Sequence, residues 1–243
     1  MLKNFVLLLV VFGLVSFSQA NMVSHYQFDG DWSNSVSGGY SVSPVGGANI
    51  ATDAERGQVG GFQYFDGVEE FGHIGYDPAF AAVTTQITVA AWVKSNSNNY
   101  SVARIAGRGY SWYMYVNGND TLGFNAGGGV VTGNSSINDG DWHHVAATFD
   151  TVTGSMALYV DGELDAQDIV SGTIPNADRY AIAARATSST AGASFYHGYI
   201  DDVRIYNDVQ SLSQIQDFSG VPEPATMLLL GVGAIALRRR KMS

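Results

Sequence analysis

The segment Gly109-Tyr110-Ser111-Trp112-Tyr113-Met114-Tyr115-Val116 holds the side chains best suited to recognise a ligand. Alternation sets Trp112, Met114 and Val116 on one face of a strand and Tyr113 and Tyr115 on the other. At a rise of roughly 3.4 Å per residue the two rings stand about 7 Å apart, a workable platform for a flat polar ligand. Arg104 and Arg108 lie close by in sequence and add hydrogen-bond donors. Ordinary cross-strand packing on a half-exposed face accounts for the same pattern, so both readings stand at this level.

Catalytic constellations are harder to build. Trp142-His143-His144 suggests metal or acid–base chemistry, but neighbouring side chains on a strand point to opposite faces and cannot chelate one ion together. Before the C-terminal tail, Glu occurs only at positions 55, 69, 70 and 163. Glu69 and Glu70 are adjacent and face apart if extended, whereas glycoside hydrolysis needs two carboxyl groups flanking one bond. The chain has no Gly-x-Ser-x-Gly elbow, zincin helix or phosphate-binding loop. Cysteine is absent, which removes thiolate nucleophiles, thiolate metal sites and disulfides. A non-catalytic protein is expected.

Such side chains must be carried by a fold, and the strand pattern is clear. Ile87, Val89, Ala91 and Val93 alternate with Thr88, Ala90 and Trp92. The same period of two runs through 112–116, 143–149, 156–160 and 200–206. Asn117-Gly118, Asp139-Gly140 and Asp161-Gly162 separate these runs and accept positive φ at low steric cost. Strands every ten or so residues predict an all-β antiparallel sandwich. Only 209–218, with Leu212, Ile215 and Phe218 three apart, suggests a short helix.

The ends read as targeting segments. Lys3, the apolar run 5–15 and Ser18-Gln19-Ala20 have the order of a cleavable signal peptide over residues 1–20, so the mature chain is expected to start at Asn21. At the other end Val221-Pro222-Glu223-Pro224 precedes an apolar stretch, 225–237, and then Arg238-Arg239-Arg240-Lys241. The stretch spans about 20 Å as a helix, short for a permanent membrane span. Four cations hold such a segment as a stop-transfer element with its end in the cytoplasm. This tail, 221–243, resembles the PEP-CTERM sorting signal. The resemblance implies export to the cell surface or extracellular matrix, a transient membrane anchor, and an exosortase-type processing enzyme as partner.

Residues 21–220 form one expected domain with 7 basic and 21 acidic residues, a net charge of −14. Such a surface repels nucleic acid and anionic lipid. Within it, His25-Tyr26-Gln27-Phe28-Asp29-Gly30, 65–71, 87–94, Asp141-Trp142-His143-His144, 158–162 and 198–207 occur in an order that resembles the laminin-G-like, concanavalin A-like jelly-roll domains. The resemblance implies two curved antiparallel sheets, a ligand that is a sugar or a protein, and often a structural calcium ion. Asp29, Asp31, Asp66, Asp201 and Asp202 are the best oxygen donors for such a Ca2+. Asp201 shares parity with Val203 and Ile205, so it is expected to point inward and to need a cation or several donors. Turn formation explains the remaining carboxylates equally well. An exported, non-catalytic module binding polysaccharide is the leading expectation, with a matrix protein acting through protein contacts second and a glycan-active enzyme third.

Overall fold

A computed structural model describes residues 21–51, 61–75, 77–97, 102–176 and 179–220. The expected signal peptide and sorting tail, including the apolar stretch 225–237, lie outside the described residues.

The strands in chain order are β1 (Met22–Tyr26), β2 (Ser43–Val45), β3 (Asn49–Ala51), β4 (Phe62–Asp66), β5 (Phe71–Ile74), β6 (Gln86–Lys94), β7 (Val102–Arg108), β8 (Trp112–Asn117) and β9 (Thr121–Ala126). They continue with β10 (Gly129–Ser136), β11 (Trp142–Asp150), β12 (Ser155–Val160), β13 (Glu163–Ile169), β14 (Tyr180–Ile182), β15 (Arg185–Ala186), β16 (Gly192–Ala193) and β17 (His197–Tyr206). An eight-stranded sheet runs β13-β12-β11-β6-β17-β4-β3, with β1 paired to the far half of β17. A seven-stranded sheet runs β10-β9-β8-β7-β14-β5-β2, and β15 and β16 form a small separate ribbon. Every pairing is antiparallel, as the alternation predicts for the expected jelly-roll sandwich.

The core is what the period of two selects. Ile87, Val89, Ala91 and Val93 of β6 meet Val145, Ala147 and Phe149 of β11 in one buried cluster, which also takes in Trp112, Met114 and Val116 of β8. Each fully buried side chain of this size stabilises the fold by roughly 1.5–3 kcal/mol. Asp161 and Gly162 both have positive φ, 51° and 77°, and close a two-residue hairpin in which Val160 pairs with Glu163. After β8 the turn differs from expectation: Asp120 at φ 63° takes the left-handed position rather than Gly118, and the Asn117 carboxamide oxygen accepts from Asn119 N.

A second departure changes the reading of Asp201. A β-bulge lies between Asp201 and Arg204 in β17, with Asp202 at φ 51°. Ile200, Val203 and Ile205 are all in the core, so the extra residue reverses the parity. Asp201 therefore sits opposite Trp92 on the outer face, still only 2% exposed, and its Oδ1 accepts from Asp202 N at 2.7 Å.

The expected C-terminal helical turn is α1 (Leu212–Ser219). Ser211 caps it in a capping box with Gln214, and Gly220 ends it in the left-handed conformation. Ile215 packs on Ala90 and Ala146, which covers part of the outer face of the eight-stranded sheet. Among the described residues no helix is long and apolar enough to cross a membrane.

Candidate functional site

On the outer face of the seven-stranded sheet the sequence has built a row of rings and guanidinium groups. β7 and β8 pair so that Arg104 faces Tyr115 and Gly107 faces Tyr113, with a bulge at Ile105 that keeps Arg104 outward while Ala103 and Ile105 stay in the core. The Arg104 guanidinium lies 3.7 Å from the centre of the Tyr113 ring and 5.6 Å from that of Tyr110. Arg185, from the β15–β16 ribbon, sits 4.7 Å from the centre of the Tyr110 ring and donates to its hydroxyl. Tyr113 and Tyr115 are 5.4 Å apart at 47°. The order Arg185, Tyr110, Arg104, Tyr113, Tyr115 alternates cations with aromatic faces, each contact worth about 0.5–2 kcal/mol.

Exposure within this row is uneven. Tyr110, at the tip of the β7–β8 turn, is 69% exposed, whereas Tyr115 is 8% and Arg104 3% exposed. Tyr115 owes its burial to Gly123, directly opposite on β9, whose missing side chain leaves room for the ring. The expectation of two equivalent exposed tyrosines is therefore corrected: Tyr113 is half-buried, Tyr115 is seated in the sheet, and Tyr110 is the accessible ring. Burial lowers the Arg104 pKa to about 10, with Arg185 lowering it further and the tyrosines opposing, so it stays charged at neutral pH. Its Nη1 donates to Gly109 O, while Nε has no hydrogen-bond partner.

Beside the row opens a cleft of about 510 Å3 whose described lining includes Tyr110 of the β7–β8 turn, Pro175, Asn176, Arg179, and Arg185 of the β15–β16 ribbon. The ribbon is held over the sheet by a small apolar cluster of Phe71, Ala181, Ala184 and Ala186 with Phe195 against it. Arg108 does not join the platform. It projects from the opposite side of β7, where Nη1 donates to Phe80 O at 2.9 Å and Nη2 to Asn176 Oδ1, supporting one wall of the cleft. Arg179 and Arg185 escaped the sequence reading because 75 residues separate Arg185 from Tyr110, which lay in the segment singled out but was given no role of its own. The available signal was scarcity: four of the seven basic residues of 21–220 are Arg104, Arg108, Arg179 and Arg185.

The five aspartates suggested for calcium are not brought together. Asp29 accepts from Gly61 N, and Asp31 accepts from Ser33 N and Oγ. Asp66 accepts from the backbone N–H groups of Val68, Glu69 and Glu70, and Asp202 is forked by Arg204 and bonded to His25 Nε2 at 2.5 Å. Among the described residues no three His, Asp or Glu side chains group as metal ligands would. In the described residues these carboxylates accept from backbone N–H groups, from Ser33, or from Arg204 and His25.

Two arrangements have the outline of catalytic sites. Burial and the neighbouring Asp66 push Glu70 up, while Asp66 itself is held low by its N–H donors against the effect of burial. Opposed shifts can mark an acid and its partner, but here Glu70 Oε2 accepts from Asp66 N and both groups close their own turn. Ser35 Oγ, His25 and Asp202 form a hydrogen-bonded row, with Ser35 Oγ 3.0 Å from His25 Nδ1. The Arg204 fork already commits Asp202, so the row ties the 31–36 loop to β1 and β17. His143 and His144 do diverge: His143 bonds Asp161 and Asp139, and His144 meets the Trp92 ring edge-on at 5.5 Å.

A sandwich of two antiparallel sheets with a short closing helix defines a jelly-roll module. The family profile of the concanavalin A-like lectin/glucanases superfamily matches residues 72–216, and the chain belongs to that superfamily. The PEP-CTERM protein-sorting motif matches residues 220–241, which associates the chain with export and the cell surface. Among solved structures, domain 4 of AbnA, a GH43 extracellular arabinanase from Geobacillus stearothermophilus, in complex with arabinotriose, aligns with a TM-score of 0.61 at 19% identity. The alignment covers 82% of this chain and 98% of that one. The binding domain of Paraclostridial Mosquitocidal Protein 1 aligns with a TM-score of 0.62 at 11% identity over 83% of this chain and 52% of that one. At such identities the likeness is one of fold. A curated relative, the sushi, von Willebrand factor type A, EGF and pentraxin domain-containing protein 1 of Rattus norvegicus, is 29% identical over 119 residues. That match covers 46% of this chain but 3% of the much longer rat protein.

Proposed function

We propose that the protein is an exported, non-catalytic carbohydrate-binding module of the cell surface or matrix, and that saccharide is held at the cleft beside Tyr110. The observation that carries this reading is the alternating row of Arg185, Tyr110, Arg104, Tyr113 and Tyr115 beside an open cleft. An exposed aromatic ring supplies a stacking face for the apolar side of a pyranose or furanose. Guanidinium and carboxamide groups around it supply hydrogen bonds to hydroxyls. The fold neighbour in complex with arabinotriose supports saccharide as the ligand class, and the sorting motif supports a surface location with processing by an exosortase.

Geometry supports this placement. The described domain ends at Gly220, after a helix that packs on the outer face of the eight-stranded sheet. The cleft opens on the other sheet, so a domain tethered through its tail keeps the cleft accessible. The test is a glycan array probed with wild-type protein and Tyr110→Ala. Tyr110 is mostly exposed, so its removal should cost the fold no more than its contacts with Arg104 and Arg185, a melting-temperature drop of about 2–4 °C, while signals fall about two- to tenfold, as loss of a stacking contact of roughly 0.5–1.5 kcal/mol predicts. Equal signals for the two proteins would refute this site, and silence across the array with self-association in solution would favour the matrix-protein reading.

A further inference from the structure

The described lining of this cleft is basic, opposite in sign to the net charge of the domain around it. Residues 21–220 carry a net charge of −14, yet two of their seven basic residues line the opening and two more lie behind it. Arg179 and Arg185 line the opening, Arg104 lies under Tyr110 and Tyr113, and Arg108 holds Asn176 of the wall. None of the described lining residues is acidic. Arg104 deepens the contrast, because burying a cation without a paired anion is costly. It is 3% exposed, its one hydrogen bond among the described residues runs to a neutral carbonyl, and Nε is unpartnered. The field reaches β5 as well, where His73 is lowered by burial and then by Arg179.

From these observations we infer that the cleft takes an acidic saccharide, a sugar bearing a carboxylate, with Arg185 and Arg179 meeting the carboxylate and Tyr110 stacking on the ring. This rests on the carbohydrate reading above and narrows it to uronate-type polymers. A guanidinium fork matches a planar carboxylate in two parallel hydrogen bonds, which a compact ammonium does not. Both described cations that line the opening, Arg179 and Arg185, are arginine, and the one lysine of the domain, Lys94, is in the other sheet. Global repulsion does not defeat the interaction. At physiological ionic strength the screening length is about 8 Å, so carboxylates elsewhere on the surface scarcely act on a ligand in the cleft, while arginines in contact with it do.

The experiment is affinity electrophoresis of the protein through gels containing polygalacturonate, alginate or hyaluronate, each run beside its carboxyl-reduced, neutral counterpart. Retardation by at least one acidic polymer is expected, with at least about tenfold weaker retardation by the reduced form, the scale of one lost charge-assisted pair. The double variant Arg179→Gln with Arg185→Gln should lose that preference while lowering the melting temperature by no more than about 2–4 °C, since both side chains line the opening and only the contact of Arg185 with Tyr110 is lost from the fold. Arg185→Lys should recover only part of the affinity. Equal retardation by acidic and reduced polymers would overturn the acidic-ligand inference and leave carbohydrate binding standing. No retardation by any acidic polymer, with neutral glycans bound on the array, would do the same. No binding to any glycan in either assay would overturn both.

Discussion

His143 gives the fold a pH dependence whose sign and size follow from its surroundings. Its Nδ1 is 2.8 Å from Asp161 Oδ2 and its Nε2 is 3.1 Å from Asp139 Oδ1. The bond to Asp161 chiefly, and then Asp139, raises its pKa to about 9 against the opposing effect of burial. An unfolded chain restores the imidazole to about 6.5. The folded state therefore binds this proton more tightly, and its contribution is complete below about pH 6.5 and fades as pH climbs through about 9. Each tenfold change in proton affinity is worth about 1.4 kcal/mol, which sets a ceiling of about 3 kcal/mol. The imidazole side chain is 14% exposed but each carboxylate is 48% exposed, so solvent screening reduces the expectation to about 1–2 kcal/mol. For a domain of this size that corresponds to a melting-temperature change of about 2–8 °C. The assay compares thermal unfolding of wild type and His143→Gln between about pH 6 and about pH 9.5. Wild type should lose its advantage over the variant across that range, and the two curves should converge at the alkaline end. The variant keeps the separate bond from His144 N to Asp161 Oδ1, so the comparison isolates the charged pair. Parallel curves with a constant offset would refute the electrostatic account.

Two further outcomes follow from packing. Gly123→Ala would put a Cβ 2.4 Å from Tyr115 Cζ and 2.8 Å from both Cε atoms, so the ring must leave its seat. A cost of about 1–2 kcal/mol in urea unfolding is expected, together with faster nitration of Tyr115, and an unreactive Tyr115 at wild-type stability would contradict this packing. Asp165 of β13 clips the two sheets together by accepting from Asn134 N, Ser135 N and Ser135 Oγ of β10 at 2.7–3.0 Å. Asp165→Ala should cost about 1–3 kcal/mol and speed hydrogen exchange of the Asn134 and Ser135 amides, and unchanged protection there would sink the clip.

What the linear chain determined was the local physics. Alternation in 87–93, 112–116, 145–149 and 156–160 decided which side chains enter the core, because a strand turns over once per residue whatever lies beside it. Asp161-Gly162 encoded its own hairpin, and the residues 209–218 encoded a short helix that the Ser211 cap places at Leu212–Ser219. The superfamily and the sorting motif were also legible, since ordered short segments survive in sequence. Tertiary structure alone decided the rest. The bulge at Asp201–Arg204 reversed the parity on which an inward Asp201 depended, because one extra residue in a strand exchanges its faces and no local pattern announces it. Tyr115 vanished into the space left by Gly123, a residue of another strand. The cleft was assembled from Tyr110, Arg179 and Arg185, which meet only when the β15–β16 ribbon folds over the sheet. A strand dictates the direction of its own side chains, but which distant charges and rings they meet is set by how the sheets close on each other.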